Sequence, residues 1–327
     1  MRQFLLLIAL VGVGHVTFAQ NKGSDSLIRK RQQANLAYTS LYKENSEMSY
    51  TSPFGELGAP TGNVINGKLT TTYLLFGPST LPIAFSVNPD FTVRVKNDRS
   101  AGVRTPSFRL GGTFYLRLAP DEKQYRYAAL GFTHHSNGQD GDALLPDGNI
   151  NTLTGNFSTN YLTATYSFGH FNKASFTGIS SSYNHKVGLE WHKWFAYEKA
   201  LNGDYGFTRL KYDFSYRIYQ NYERKSKGWK PAHGNQIANE QLQKERWRFN
   251  AECTYAVNRL DFYGILAPKK RLNAEVSANY SLPFMQNVFL MASFGYYEED
   301  PYNIYFKDRY AYARFGLSST FSRYKIN

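Results

Sequence analysis

From about residue 68 onward, apolar and polar residues alternate along the chain with a period of two. Successive side chains of a strand point to opposite faces, so this pattern predicts strands with one greasy and one polar side. Phe108, Leu110, Phe114 and Leu116 oppose Ser107, Arg109, Thr113 and Arg117. Leu210, Tyr212, Phe214, Tyr216 and Ile218 oppose Arg209, Lys211, Asp213, Ser215 and Arg217. Trp247, Phe249, Ala251 and Tyr255 oppose Arg246, Arg248, Asn250 and Glu252. Leu272, Ala274, Val276, Ala278 and Tyr280 then oppose Arg271, Asn273, Glu275 and Ser277, and Ala311, Ala313, Phe315 and Leu317 repeat the pattern near the end. About twelve such strands can be traced; a hairpin within 174–197 would make fourteen, and a barrel wants an even number.

Soluble sandwiches alternate in the same way. Two features favour an all-β, transmembrane antiparallel β-barrel instead. The polar faces are dense in Arg, Asp and Glu, as an enclosed charged interior would be, and strands of about 10 to 14 residues suit a tilted membrane crossing. Arg209, Lys211, Arg217, Arg246 and Arg248 read as lumen lining, paired with Asp213, Glu252 and Glu275. Trp191, Trp194, Trp229 and Trp247 read as interfacial belts.

The segment before the alternation has two parts. Arg2, the apolar run from Phe4 to Val13 and the small-residue site Thr17-Phe18-Ala19 predict a signal peptide over 1–20. Residues 21–66 are polar and read as a periplasmic extension, partly a short helix, leaving 67–327 as the outer-membrane barrel. Nothing downstream approaches the roughly 18 to 20 apolar residues of a membrane-spanning helix. Composition agrees with a barrel: aromatics make up 17% of the chain, yet mean hydropathy is −0.49. A net charge of +13 behind a signal peptide argues against nucleic acid and for anionic lipid headgroups or phosphorylated saccharide. The single Cys253 excludes an intramolecular disulfide and a cysteine-based zinc site. Connections at 169–173, 258–259 and 284–286 read as periplasmic turns, whereas 137–157 and 221–244, the latter with the basic run 224–227, read as extracellular loops.

Candidate chemistry lies at Gly131-Phe-Thr-His-His-Ser-Asn-Gly-Gln-Asp140. His134 and Ser136 share the face of Ala128, Leu130 and Phe132, while His135 points away. A hydroxyl beside an imidazole is half of a nucleophilic site, and here it stands on the lipid-facing side. Asn160, on the strand returning from 137–157, shares a face with Leu162, Ala164, Tyr166 and Phe168. It therefore points outward at the matching strand end, about 4.8 Å from its neighbour strand, as an imidazole orienter should. A neutral orienter helps an imidazolium less than aspartate would, which makes a bound cation near the oxyanion a natural complement. Taken alone, a His-x-Ser at a strand end reads as interfacial residues before an Asn-Gly turn; the outward Asn160 is what adds chemistry.

The order His134-x-Ser136-Asn137-Gly138 followed by Asn160 resembles outer-membrane phospholipase A. So does Gly295-Tyr296-x-Glu298 followed by Tyr302-Asn303 before the last strand. Specific motifs cover 131–162 and 294–317. The resemblance implies a barrel with a Ser–His–Asn triad on its outer wall in the outer leaflet, hydrolysing acyl esters of membrane phospholipids, with Ca2+ dependence and activation as a homodimer. Ser136 would be nucleophile, His134 general base, Asn160 its orienter and Gly138 part of the oxyanion site. Family calcium ligands map to the Gln139 carbonyl and to Asn156, where the family has serine, and loosely to Ser100 on a facing subunit. Asp140, Asp142 and Asp147 could supply oxygens in a loop about a dozen residues longer than the family's, or be solvated loop residues. A small porin or structural barrel without chemistry, and a soluble secreted esterase, are the competing readings.

Overall fold

The computed structural model describes residues 25–324 apart from 61, 79–80, 98–101, 104–105, 120–123, 173–178, 223–241, 283–286 and 299–308. The expected signal peptide, Ser100, Trp229, the basic run 224–227, the turn 284–286 and Tyr302-Asn303 lie outside the described residues.

The alternating strands close into an antiparallel barrel of twelve. In chain order they are β1 (Ser49–Ser52), β2 (Asn63–Thr70) continued by β3 (Thr72–Phe76), β4 (Ile83–Lys96), β5 (Ser107–Arg117), β6 (Gln124–Ser136), β7 (Ser158–Asn172), β8 (Ile179–Trp191), β9 (Thr208–Tyr222), β10 (Leu242–Ala256), β11 (Leu272–Ser281), β12 (Val288–Tyr297) and β13 (Tyr310–Ser319). From β4 to β13 each strand pairs with its sequence neighbours, and β1 closes the ring between β13 and β2. The possible fourteenth-strand hairpin does not form, because Ile179–Trp191 is one strand paired along its length with β7 and β9.

The faces sort as the alternation predicts. Leu110, Phe114, Leu130, Leu210, Val276 and Phe294 are each more than half exposed on the outer wall, while Arg217, Arg248 and Arg314 are buried inside. An apolar outside around a charged inside is the arrangement of a membrane barrel and the reverse of a soluble one. Trp191 and Trp194 sit together at one rim, and Trp247 packs on Tyr280 at the other, as two interfacial belts would.

The sheet begins earlier than residue 67, since Ser49–Ser52 is already part of the wall. Helix α1 (Asp25–Glu44) precedes it. Its buried Asn35, Tyr38, Thr39 and Tyr42 recur at helical spacing and form one inward stripe. That stripe plugs the barrel mouth rather than lying outside it. Tyr42 stacks on Tyr115 at 4.5 Å and meets Tyr127 edge-on at 5.0 Å. Such aromatic pairs contribute roughly 0.5–1.5 kcal/mol beyond their buried area. The Tyr38 hydroxyl accepts from the Arg126 amide at 3.0 Å, and Arg117 Nε donates to Asn35 Oδ1 at 3.0 Å. At the helix end, Arg217 Nη2 donates to the Glu44 carbonyl at 2.6 Å and to Asn45 Oδ1 at 2.8 Å.

After the helix the chain must leave the lumen through the wall, and it does so at the seam between β13 and β2. Where β1 has not yet entered, a short strand β14 (Ser322–Tyr324) pairs with β3 in parallel and closes the gap. Within the lumen Lys186 pairs with Asp213 at 2.6 Å, Lys68 with Glu47 at 2.5 Å and Asp90 at 3.3 Å, and Arg314 with Glu275. Among these residues lies a polar cavity of about 300 Å3.

Strand direction corrects two loop assignments. Residues 223–241 join β9 to β10 at the end where α1 enters, the same end as 173–178, so 221–244 is not on the side of 137–157. Asn258-Arg259 lies at the opposite end, in the β10–β11 connection, together with 137–157 and 192–207. Loop length alone misled here, because one long connection on the turn side reverses the usual asymmetry.

Candidate active site on the outer wall

Strand β6 carries Leu130 and Phe132 on the outer wall and ends with His134 and Ser136 on the same face. In register, His134 stands opposite Leu110 of β5 and Asn160 of β7, and Ser136 opposite Phe108 and Ser158. His134 Nδ1 and Asn160 Oδ1 lie 3.0 Å apart. The other end of the Asn160 amide is also fixed, because Nδ2 donates to the Ala196 carbonyl at 2.9 Å. A backbone carbonyl only accepts, so it selects the NH2 end of the amide and leaves the oxygen for His134. That oxygen in turn requires a proton on Nδ1, which leaves His134 Nε2 as the basic nitrogen. The Ser136 hydroxyl is half-buried and makes no hydrogen bond among the described residues.

Ala196 belongs to the β8–β9 loop, which folds onto the wall beside the site. Phe195 meets Phe132 edge-on at 5.2 Å, and the Asn160 backbone N–H also donates to the Ala196 carbonyl at 3.2 Å.

Asn137 is fully buried rather than a solvated turn residue. Its Nδ2 donates to the Gly155 carbonyl at 2.8 Å and its Oδ1 accepts from the Phe157 amide at 3.0 Å, so one side chain ties both stems of the 138–156 loop. Gly138 follows at φ +63°, where a Cβ would lie 2.7 Å from the Phe108 ring. A left-handed φ with a ring this close favours glycine at that corner.

Behind the outward rung lies an inward one. His135 is buried with Nε2 2.8 Å from Ser107 Oγ, as its lumenal reading implies. Thr159, opposite it in register, contacts His192 Nδ1 at 2.8 Å, and His192 Nε2 lies 2.9 Å from Glu190. Burial, opposed by hydrogen-bonded Glu190, holds the His192 imidazole below its ordinary value, so the ring is neutral, donating to Glu190 and accepting from Thr159. Arg209 and Lys211 approach the same carboxylate at 3.5 and 3.7 Å. This network stiffens the strand ends that carry His134 and Asn160.

The metal candidates divide. Asp147 turns its oxygens onto Asn149, at 2.9 and 2.8 Å, and closes its own turn. Gln139, Asp140, Asp142 and Asn156 gather on two stems joined by the Gly141–Gly155 bridge, where the Asn156 amide donates to the Gly141 carbonyl at 2.8 Å. Among the described residues no three His, Cys, Asp or Glu side chains converge on one point. The side chains on these stems offer hard oxygens, two of them carboxylates, the donor type that calcium takes.

Asn137, Ala196 and the Thr159–His192–Glu190 chain were not read from sequence as parts of the site. Ala196 acts through its backbone and carries no residue-type signal. His192 reaches Thr159 only because β8 lies beside β7.

No protein-family profile matches the sequence, and no curated protein sequence matches it. Among solved structures the chain is similar to outer membrane phospholipase A from Escherichia coli, with 11% identity over 88% of this chain and 98% of that one at a TM-score of 0.48. It is also similar to the β domain of the Bordetella autotransporter BrkA, with 10% identity over 83% and 94% at a TM-score of 0.38. LpxR from Salmonella typhimurium has 10% identity over 84% and 99% at a TM-score of 0.37. At these identities and scores the likenesses bear on neither substrate nor mechanism.

Proposed function

We propose that this protein is an outer-membrane phospholipase that cleaves acyl esters of glycerophospholipids at a Ser136–His134–Asn160 triad on its lipid-facing wall. The observation that carries the reading is the doubly fixed Asn160 amide, which sets the His134 tautomer with Nε2 free for a neighbouring hydroxyl. Structural interfacial residues have no need of that arrangement.

His134 Nε2 takes the Ser136 proton as Oγ attacks the ester carbonyl, and the backbone at Gly138 donates to the oxyanion. The lysophospholipid alcohol leaves with the proton from His134. Water, deprotonated by the same nitrogen, then releases the fatty acid from Ser136. The acyl chain lies along Leu110, Leu130 and Phe132, so the apolar wall supplies most of the binding energy. Gln139, Asp140, Asp142 and Asn156 would hold Ca2+, which when bound supplies positive charge near the reacting ester oxygen. Activity confined to a homodimer would spare the host membrane, with Ser100 of a second copy completing the calcium site.

A serine-directed fluorophosphonate tests the nucleophile. Covalent labelling of Ser136, found by peptide mass spectrometry and absent in His134→Ala, supports the triad; an unlabelled folded protein contradicts it. The alternative, a small porin or structural barrel without chemistry, fits the same fold; α1 and lumenal ion pairs such as Lys186–Asp213, which occupy part of the barrel, favour the enzyme.

A further inference from the structure

At the loop end of the barrel, the β10–β11 connection, residues 257–271, presents Phe262 at 101% exposure, Leu266 at 92% and Ile265 at 57%. Three large apolar side chains on one short tip are costly in water, and this tip is built to keep them there. Arg271 is buried and donates to three loop carbonyls and to the strand end: Nε to Gly264 at 2.9 Å, Nη1 to Asn258 at 2.9 Å and to Ala256 of β10 at 2.8 Å, and Nη2 to Tyr263 at 2.8 Å. From the outer wall the Tyr255 hydroxyl reaches the Ile265 carbonyl at 2.7 Å and that of Ala267 at 3.2 Å. One arm holds the loop from inside the barrel and the other from outside, so the tip overhangs the wall.

Phe262 adds a second sign. Its φ of +66° is unfavourable for a bulky side chain, and a glycine would sit there freely. The chain keeps an aromatic ring in a strained position fully in the open, which makes sense if the ring has something to enter.

We infer that this loop is a membrane anchor whose tip inserts Phe262, Ile265 and Leu266 into the adjoining lipid leaflet, with basic residues at its base on the phosphates. The inference rests on the outer wall being lipid-facing. Two observations favour lipid as the occupant. The tip continues the apolar belt, since Tyr255 stands between Leu210 and Leu272 on the outward face, with Val276 below. Its base carries exposed Arg259 and Lys269, the latter 5.3 Å from the Tyr263 ring, so positive charge borders the apolar tip as at an anionic headgroup layer. Lys270 is not part of this set, being paired with Asp204 at 2.5 Å.

The single native cysteine gives the test an internal control. Cys253 lies on the outer wall, two residues before Tyr255, so a polarity-sensitive fluorophore attached there reports the belt. The same fluorophore on Leu266→Cys in a Cys253→Ser background reports the tip, with Ile265→Cys as a second site. Both are refolded into anionic phosphatidylglycerol-containing vesicles and checked for heat-modifiable migration. The anchor predicts loss of tip emission in vesicles whose lipids are brominated near the carbonyl end of the chain, together with shielding from aqueous iodide. A tip quenched by iodide and untouched by bromine, while the Cys253 label is quenched by bromine, overturns the anchor and leaves the membrane barrel standing. Loss of bromine quenching at both sites overturns the lipid-facing wall and the anchor together. Tip shielding that rises with protein-to-lipid ratio, without bromine quenching, also overturns it and assigns the tip to a second copy.

Discussion

At the scale of single residues, the proposed chemistry depends on which way one amide points. Asn160 is held by Ala196 on one side and holds His134 on the other, so truncating it frees the imidazole. Asn160→Ala is expected to lower kcat roughly tenfold to a hundredfold, the rate equivalent of one hydrogen bond to a charged group, with little change in KM. Asn160→Asp keeps an acceptor for His134 but turns a carboxylate oxygen toward the Ala196 carbonyl, so it too should lose activity rather than gain it. Steady-state kinetics on a phospholipid in detergent micelles separates these outcomes. Gly138→Ala places a Cβ against Phe108 at a left-handed φ and should cost roughly 1–3 kcal/mol, read as a lowered urea midpoint in vesicles. The outward facing of His134, Ser136 and Asn160 was legible because a strand's period of two fixes side-chain direction. The Ala196 contact was not, since a backbone carbonyl leaves no trace in residue type.

At the scale of elements, the β6–β7 loop owes its shape to Asn137. Asn137→Ala would leave the Phe157 amide and the Gly155 carbonyl without their partner, each loss worth about 1–3 kcal/mol when buried. The strands would persist while 138–156 loosens, so limited proteolysis should cut within that loop in the variant and spare the wild type. Equal resistance of both would show that the bridge at Gly141–Gly155 suffices. From sequence, Asn137-Gly138 reads as a simple turn, because an asparagine before a glycine has that meaning whether its side chain is solvated or buried. Strand existence and facing were readable for β5, β9, β10, β11 and β13, whose alternation is strict. The 221–244 connection was misplaced, because composition gives a loop's length but not the end of the barrel at which it lies.

At the scale of the whole molecule, the barrel is filled from within. Helix α1 stops one mouth with Tyr38 and Tyr42, and matched ion pairs occupy much of the rest. Deleting 25–44 should therefore create steady ion conductance in a planar bilayer where the full chain shows none; equal conductance of the two would mean that α1 is no plug. The tyrosine stripe was present in the sequence at helical spacing, but its destination inside a barrel is a tertiary fact that periodicity does not carry. The inside-out distribution of apolar side chains was legible, and it sets the proposed triad on the apolar outer face rather than in the polar lumen. The most direct measurement is fatty-acid release from phospholipid by the refolded full chain in detergent, with calcium or with EDTA, beside Ser136→Ala. The account predicts calcium-dependent release that falls by a factor on the order of 10³ or more in the variant, with folding unchanged. No release by the wild type, or equal release by both, would contradict it.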